Sequence, residues 1–166
     1  MPLLQTRQTR ATVRYTVVDT PIGPLLATAG DDGGLTGLWF DREPAPGWER
    51  GGDGVFDTLR DQLDAYFAGE RREFDLPLAP AGTAWQRAVW DALQGVPYGT
   101  TLSYGELAAR LGRPSASRAV GAANGRNPIS VIVPCHRLIG SSGALTGYAG
   151  GLERKSALLK LEGALM

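Results

Sequence analysis

Residues 103–124 are SYGELAARLGRPSASRAVGAAN, a stretch that predicts two short helices joined by a tight turn. Ser103 and Glu106 have the spacing of a capping box, in which two side chains satisfy free backbone amides at a helix start. Gly112 ends the first helix, and an alanine-rich second helix is expected over 115–124. Two helices in this arrangement are typical of a helix-turn-helix, although many helical hairpins bind no DNA.

Further helices are predicted on both sides of this pair. Thr83 and Gln86 form a second capping box, and apolar residues extend that helix to Gly95. The last helix is expected over 152–161. The apolar run 131–133 is interpreted as a buried, strand-like segment, so this half of the chain is expected to be mainly helical.

The first half has a different pattern, that of an antiparallel sheet covered by a helix. Residues 13–18, 25–29 and 34–40 are short β-prone runs separated by turn-rich spacers, which predicts a meander. Residues 43–54 are rich in Pro, Gly and charge and are expected to be a surface loop. Apolar residues at helical spacing then predict a helix that ends at Gly69: Val55, Phe56, Leu59, Leu63, Tyr66 and Phe67.

The two halves define an α+β chain of two domains. Residues 73–78 are expected to add a strand or an extended arm, and 79–82 is the favoured boundary. We therefore predict a small domain of antiparallel sheet and helix over residues 1–80. A mainly helical, winged-helix-like domain is predicted over residues 81–166.

Composition excludes several classes of protein. The chain has 166 residues, of which 43% are hydrophobic and 20% charged, so disorder is not expected. No apolar run approaches the roughly 18 residues of a membrane-spanning helix, and no membrane association is expected. Residues 1–12 are polar and lack the apolar centre of a secretion signal, which favours a frayed start and a cytoplasmic protein.

Charge is divided between the halves although the net charge of the chain is zero. Residues 1–80 hold eight Arg and no Lys against thirteen acidic residues, a net charge of −5, whereas residues 81–166 hold nine basic against four acidic residues, a net charge of +5. Phosphate contacts need clustered Arg or Lys, so the second half is the one expected to meet a polyanion such as DNA. Chance segregation of charge is the alternative.

The single cysteine and the single histidine of the chain are neighbours. These counts exclude an internal disulfide and a Cys/His zinc cage. Cys135 is a candidate nucleophile, His136 is a candidate base acting directly or through a water, and Glu162 is the carboxylate that would orient the imidazole. The alternative is an inert buried cysteine beside a surface histidine.

The residues around this pair resemble the alkylguanine-DNA alkyltransferases, also called the methylated-DNA–protein-cysteine methyltransferase family. The similarity is continuous over about 83–163, and it implies a ribonuclease-H-like first domain, in which Thr20 to Pro24 is typical of bacterial members. It rests on Pro97-Tyr98-Gly99, Ser103-Tyr104, Ser117 to Gly121, Asn127-Pro128, Val133 to Arg137, Ser141 to Gly143, Gly147 to Leu152 and Lys155 to Glu162.

Carried over to this chain, the resemblance implies direct reversal of DNA damage. Cys135 would take the alkyl group from O6-alkylguanine, with O4-alkylthymine as a further substrate, in a single irreversible turnover that needs no cofactor. His136 would remove the thiol proton through a water, and Glu162 would hold the imidazole. Tyr104 would donate a proton to the guanine ring as the base leaves.

The resemblance also implies a DNA-reading face and a base pocket. Arg118 would enter the duplex when the damaged base swings out, and small residues of the same helix would approach the minor groove: Ala116, Ser117, Ala119 and Gly121. Asn127 would tie that helix to the strand that carries Cys135. The pocket would be formed by Leu138, Leu145, Tyr148, Ala149 and Gly150. Some members have serine where this chain has Ala149, so recognition of the guanine oxygen would rest on a backbone amide.

Two other functions stay open as alternatives. A non-catalytic, lesion-binding relative has tryptophan in place of the cysteine, so Cys135 argues against that function. A cysteine hydrolase using Cys135, His136 and Glu162 would need an oxyanion hole and would leave Arg118 without a role. The expected partner is double-stranded DNA containing alkylated guanine, bound by a monomer, with cooperative binding along DNA as a further alternative.

Overall fold

An antiparallel sheet forms the first part of the computed structural model, which describes residues 12–165. Strands β1 (Arg14–Val18), β2 (Leu25–Ala29) and β3 (Leu35–Phe40) pair in chain order, as the β-prone runs predicted. Gly23 sets the β1–β2 turn, because its φ of 121° is a conformation that side chains rarely allow. The central position of β2 leaves all five of its residues buried.

A fourth strand corrects the expectation of a surface loop over 43–54. Strand β4 (Glu49–Arg50) runs parallel to β1 at the edge of the sheet. The pairing is made by backbone alone: the Glu49 amide donates to the Val13 carbonyl at 3.0 Å, and the Gly51 amide donates to the Tyr15 carbonyl at 3.0 Å. Both side chains of β4 are exposed, so no apolar alternation marks this strand in the sequence.

Helix α1 (Gly54–Phe67) covers the sheet, and an extended arm leads away from it. Its apolar face is buried in one core with the strands, and that face consists of Phe56, Leu59, Leu63 and Tyr66. The expected segment 73–78 is an arm with a single bridge between Leu78 and Leu35, rather than a full strand. The Leu35 amide donates to the Pro77 carbonyl at 2.8 Å, which holds the arm against β3.

The second half contains the predicted helices. They are α2 (Ala84–Gln94), α3 (Tyr104–Arg110), α4 (Ser117–Gly125) and α5 (Leu152–Leu161). Two short strands, β5 (Leu102–Ser103) and β6 (Leu138–Ile139), pair in parallel between them. Both capping boxes form as predicted, at Thr83 and at Ser103. Helix α4 begins two residues later than predicted, because the chain before it makes a turn closed by the Ala116 amide on the Arg113 carbonyl at 2.9 Å.

The expectation of a strand-like run over 131–133 is wrong. These residues are buried, but they form a tight turn in which Val131 has a φ of 70°, a conformation uncommon for a β-branched residue. The Val133 amide donates to the Ile129 carbonyl at 3.0 Å. The apolar composition of 131–133 therefore predicted the burial of these residues correctly but their backbone conformation incorrectly. A short 3₁₀ turn (Cys135–Arg137) follows them.

Backbone contacts join the two halves next to that turn. Leu38 of β3 donates to the Pro128 carbonyl at 2.7 Å and accepts from the Ser130 amide at 2.9 Å. The segment before Cys135 is thus attached to the first sheet.

No helix within residues 12–165 is both long and apolar enough to cross a membrane. Of the frayed start expected over residues 1–12, all but Thr12 lies outside the described residues, and the division at residue 80 stays a prediction.

Replacing Ser103 with alanine should lower the free energy of unfolding by about 1 kcal/mol, because the Glu106 amide then loses its acceptor at the start of α3. Urea unfolding followed by circular dichroism measures the change. Ser115→Ala, in the exposed turn before α4, is the matched control and should change stability by less than about 0.5 kcal/mol. Equal stability of the two variants would contradict a role for this capping box in holding α3.

Candidate active site

Cys135 lies at the start of the 3₁₀ turn and is almost completely buried, with 5% of its surface exposed. Burial raises the pKa of the thiol, because the thiolate would lose its hydration. Hydrogen bonding from Asn127 and the positive charge of Lys155 act in the opposite direction but do not cancel this effect. The sulfur is therefore a protonated thiol at neutral pH and needs a base before it can attack.

His136, the residue that follows Cys135, forms a fully buried pair with Glu162. The Nε2 atom of His136 lies 2.9 Å from Oε2 of Glu162. Glu162 ends α5, and Arg137 holds both of its oxygens, with Nε 2.8 Å from Oε1 and Nη2 2.9 Å from Oε2. Burial alone would raise the pKa of Glu162, but the hydrogen bonds from His136 and Arg137 lower it to about 2. The carboxylate is thus ionised at neutral pH.

The protonation of His136 follows from these surroundings. Burial lowers the pKa of the imidazole, and the opposing effect of Glu162 does not restore it, so the ring is neutral at neutral pH. An ionised carboxylate can only accept, which places the proton of the neutral ring on Nε2. Nδ1 is then an acceptor, and it is buried without a hydrogen-bond partner in residues 12–165. This nitrogen is free to take up a proton.

Asn127 fixes the backbone that leads to the thiol. Its Nδ2 donates to the Val133 carbonyl at 2.9 Å and to the Ile129 carbonyl at 3.3 Å, and its Oδ1 accepts from the Ile129 amide at 3.0 Å. These bonds hold the segment between α4 and Cys135, and the element that carries Cys135 is a 3₁₀ turn, not the strand expected from the sequence. The role of Asn127 as a hinge stays a prediction. Asn124 of α4, which the sequence did not single out, adds a 3.4 Å bond to the Cys135 carbonyl.

The five residues expected to form a base pocket lie along one segment, Leu138 to Gly150. Leu138 is buried, Leu145 and Tyr148 are half-buried, and Ala149 is exposed. A side chain at Gly150 would collide with the rings of Tyr148 and Phe40, at 2.7 and 2.8 Å, so only glycine allows this packing. We call residues 144–150 the pocket loop, after the role expected for them. This loop is therefore packed against the first domain through Phe40 of β3.

Lys155 anchors the same loop and was missed in the sequence. Its ammonium donates to the Thr146 carbonyl at 2.7 Å and also to the Leu138 carbonyl. Burial lowers the pKa of Lys155 to about 8, and proximity to Cys135 opposes that shift. The sequence did contain a signal for this burial, because Lys155 has the helical spacing of Leu158 and Leu159, with which it shares the buried face of α5.

Arg154 ties the pocket loop to the first domain. It donates to the Ile22 carbonyl at 2.9 Å and to the Gly150 carbonyl at 3.3 Å, and it forms an ion pair with Asp41. The guanidinium also lies 4.5 Å from the centre of the Phe40 ring. Neither Arg154 nor Asp41 is conspicuous in the sequence, because single charged residues of this kind are common.

Tyr104 begins α3 and faces the pocket loop. Its hydroxyl lies 3.3 Å from the Thr146 carbonyl and 3.3 Å from the Thr146 hydroxyl. The ring lies over α4, where a side chain at Gly121 would be 3.7 Å from it. Tyr104 is thus at the junction of α3, α4 and the loop over 144–150.

Helix α4 has one buried and one exposed face. The buried face carries Val120, Ala123 and Asn124, and two tryptophans of α2 fix the helix by donating to the carbonyls of Ala119 and Ala123. Arg118 and Ala119 are exposed, while Ala116, Ser117 and Gly121 are partly exposed. Small side chains and the exposed Arg118 therefore share an accessible surface, with further exposed arginines nearby in sequence at 110, 113 and 126.

Comparison with known proteins gives matches over nearly the whole chain. Residues 13–80 match the ribonuclease-like domain of 6-O-methylguanine DNA methyltransferase, and residues 84–164 match its DNA binding domain. A protein of Methanosarcina acetivorans named methylated-DNA–protein-cysteine methyltransferase is 52% identical over 155 residues, which cover 90% of this chain and 98% of that protein. A Mycobacterium tuberculosis protein of the same name is 53% identical, covering 90% and 92%.

Solved structures give the same result. The crystal structure of Mycobacterium tuberculosis OGT in complex with DNA has a TM-score of 0.84 and 53% sequence identity, and the match covers 92% of this chain and 94% of that chain. A methyltransferase from Pyrococcus kodakaraensis, with 22% identity and a TM-score of 0.55, has the same fold. The predicted α+β architecture, with a sheet domain and a helical domain, is confirmed.

Acidification should destabilise the wild-type protein more steeply than the Glu162→Gln variant. The pKa of Glu162 is about 2 in the folded state and 4.5 ordinarily, so the unfolded chain binds this proton more readily. The resulting stabilisation is complete above about pH 4.5 and is lost as the pH falls toward 2. A shift of this size corresponds to about 3 kcal/mol.

Urea unfolding at a series of pH values between about 3 and 6 measures this difference as the slope of stability against pH. Glu153→Gln, an exposed substitution on the same helix, is the control and should keep the wild-type slope. The same slope in Glu162→Gln and wild type would contradict the assignment of Glu162 as a buried, ionised carboxylate.

Proposed function

Because this chain belongs to the methylated-DNA–protein-cysteine methyltransferase family, we propose that it repairs DNA by moving the methyl group of O6-methylguanine onto Cys135. Cys135 is the only cysteine in the sequence, so no other residue can be the acceptor. The observation that carries this assignment is the buried series of a thiol, a neutral imidazole and an ionised carboxylate at the end of α5.

The first step is activation of the sulfur. Nδ1 of His136 takes the thiol proton through one water, and the sulfur becomes a thiolate. The imidazolium formed in this step is stabilised by Glu162, whose oxygen already accepts from Nε2 at 2.9 Å. Positive charge on Lys155, near the sulfur, favours the thiolate once the proton has left.

The second step transfers carbon. The thiolate attacks the methyl carbon, a bond from carbon to sulfur forms, and the bond from carbon to O6 breaks with its electron pair leaving on the guanine. We assign Tyr104 as the donor that protonates the guanine ring, since its hydroxyl lies at the pocket loop. The product is a thioether without a good leaving group, so one molecule repairs one lesion.

The depth of the sulfur supports a base-flipping mechanism. A base inside a stacked duplex cannot reach a thiol of which only 5% is exposed, so the lesion has to rotate out of the helix. We assign Arg118 to the space that the base vacates. The small residues beside it allow α4 to approach closely, which favours the minor groove as the site of contact.

The proposed base pocket accounts for specificity. Tyr148 supplies an aromatic wall, and the backbone near Ala149 supplies a donor for the guanine oxygen without the hydroxyl found in some members. The proposal extends to larger alkyl groups on O6 and to O4-alkylthymine, because the sulfur of Cys135 would accept the alkyl carbon in each case. The binding unit is a monomer, and cooperative binding along DNA is an addition that the same exposed helix would permit.

Mixing the protein with duplex DNA containing O6-methylguanine should add one methyl group to the Cys135 peptide, measured by intact and peptide mass spectrometry. Cys135→Ser should bind the same DNA and stay unmodified. The yield should stop at one methyl per protein however much lesion is present. Tight binding without modification of wild-type protein would favour a lesion sensor, and repeated turnover of an ester or amide would favour a hydrolase.

Arg118→Ala should slow repair of duplex DNA by about tenfold or more, because the flipped-out lesion then has nothing to replace it in the stack. The same variant should react at the wild-type rate with the free modified base, which needs no flipping. Arg126→Ala, at the exposed end of the same helix, is the matched control for loss of one positive charge. Equal losses on duplex and free base would mean that Arg118 does not act on the stack.

A further inference from the structure

The first domain reaches into the active site through one hydroxyl group. Tyr66, on the buried face of α1, donates to Oε2 of Glu162 at 2.6 Å. The two residues are 96 positions apart, and both are buried. The sequence indicated Tyr66 only as one apolar residue of a helix face, and the mechanism described above leaves its hydroxyl without a task.

Tyr66 shares an oxygen with the imidazole. Within residues 12–165, Oε1 of Glu162 accepts from Arg137 alone, at 2.8 Å. Oε2 accepts from Arg137 at 2.9 Å, from His136 at 2.9 Å and from Tyr66 at 2.6 Å. Three donors therefore divide the negative charge on the one oxygen that orients His136, and the Tyr66 bond is the shortest of them.

The ring of Tyr66 is held so that its hydroxyl keeps this direction. Phe67 packs edge-on at 5.1 Å between ring centroids, Phe74 lies at 5.2 Å, and Tyr98 lies edge-on at 6.2 Å. Burial and the neighbouring carboxylate raise the pKa of the phenol far above its ordinary value, so Tyr66 stays a neutral donor. The fixed ring therefore keeps the Tyr66 hydroxyl donating to Oε2 of Glu162.

We propose that Tyr66 is a positioning residue through which the first domain limits the basicity of His136. The proposal rests on the assignment of His136 as the base in the repair reaction. Charge withdrawn from Oε2 by the phenol is no longer available to stabilise the imidazolium. The imidazole therefore stays neutral, and ready to accept the thiol proton, to a lower pH than it would with Glu162 and Arg137 alone.

The other charged groups around the pair remain in place when the phenol is changed. Arg137 bridges the carboxylate, and Lys155 approaches from α5, and both cations disfavour protonation of His136. Tyr98 faces both Tyr66 and Arg137. Removing one hydroxyl thus changes one donor to Oε2 and leaves the cations unaltered.

Tyr66→Phe should raise the pKa of His136 by about half a unit, because the carboxylate then gives more of its charge to the imidazolium. NMR titration measures this directly, since His136 is the only histidine and gives a single set of ring signals. The acidic limb of the methyl-transfer rate against pH should move upward by the same amount. Tyr15→Phe, a partly exposed residue of β1, is the matched control and should leave both values unchanged.

Two further measurements separate this role from simple packing. In a Glu162→Gln background, Tyr66→Phe should no longer shift the pKa of His136, since the carboxylate that carries the effect is gone. A 3-fluorotyrosine placed at position 66 keeps the ring and makes a stronger donor, so it should shift the pKa downward. If Tyr66→Phe does not fold, the 3-fluorotyrosine variant still tests whether the Tyr66 hydroxyl sets the pKa of His136.

An unchanged or lowered pKa of His136 in Tyr66→Phe would overturn the proposal, as would an equal shift in the Glu162→Gln background. The titration uses resting protein without DNA, so its outcome does not depend on methyl transfer. Failure of the proposed function would instead appear as an unmodified Cys135 peptide, with the titration result intact.

Discussion

A buried carboxylate, that of Glu162, is the group on which the rest of the structure depends. Removing an ionised carboxylate from water costs several kcal/mol, and only a full set of donors offsets that cost. Those donors come from two places: the 3₁₀ turn that begins at Cys135 supplies His136 and Arg137, and α1 supplies Tyr66. The end of α5, the reactive turn and the first domain therefore have to be assembled together.

This arrangement keeps the sulfur unreactive until it is needed. Burial keeps Cys135 a thiol and keeps the imidazole of His136 neutral. In the proposed mechanism, charge appears only when the proton moves from Cys135 to His136, and Glu162 is already oriented to stabilise the imidazolium. A resting thiol is much less open to oxidation than an exposed thiolate, which suits a protein that has a single acceptor to use.

Local patterns in the sequence predicted the helices, both capping boxes, the three-stranded meander and the Cys135–His136 pair, because each depends on residues a few positions apart. What the sequence could not predict depends on contacts between distant segments. Strand β4 pairs through backbone alone, and the segment that leads into the turn over 131–133 is held by backbone bonds from Leu38 of β3 to Pro128 and Ser130. Tyr66 has the apolar spacing of any helix face, and nothing local indicates that its hydroxyl meets Glu162.

The bond between Arg154 and Asp41 has a consequence for how such proteins can evolve. It links a residue just after β3 to the helix behind the pocket loop, on the same side of the molecule as the ring contact between Phe40 and Gly150. The sheet domain thus meets the helical domain through specific side chains at this junction. Recombination that exchanged it between distant relatives would have to bring matching partners on both sides of the junction, so the two halves are expected to be inherited together.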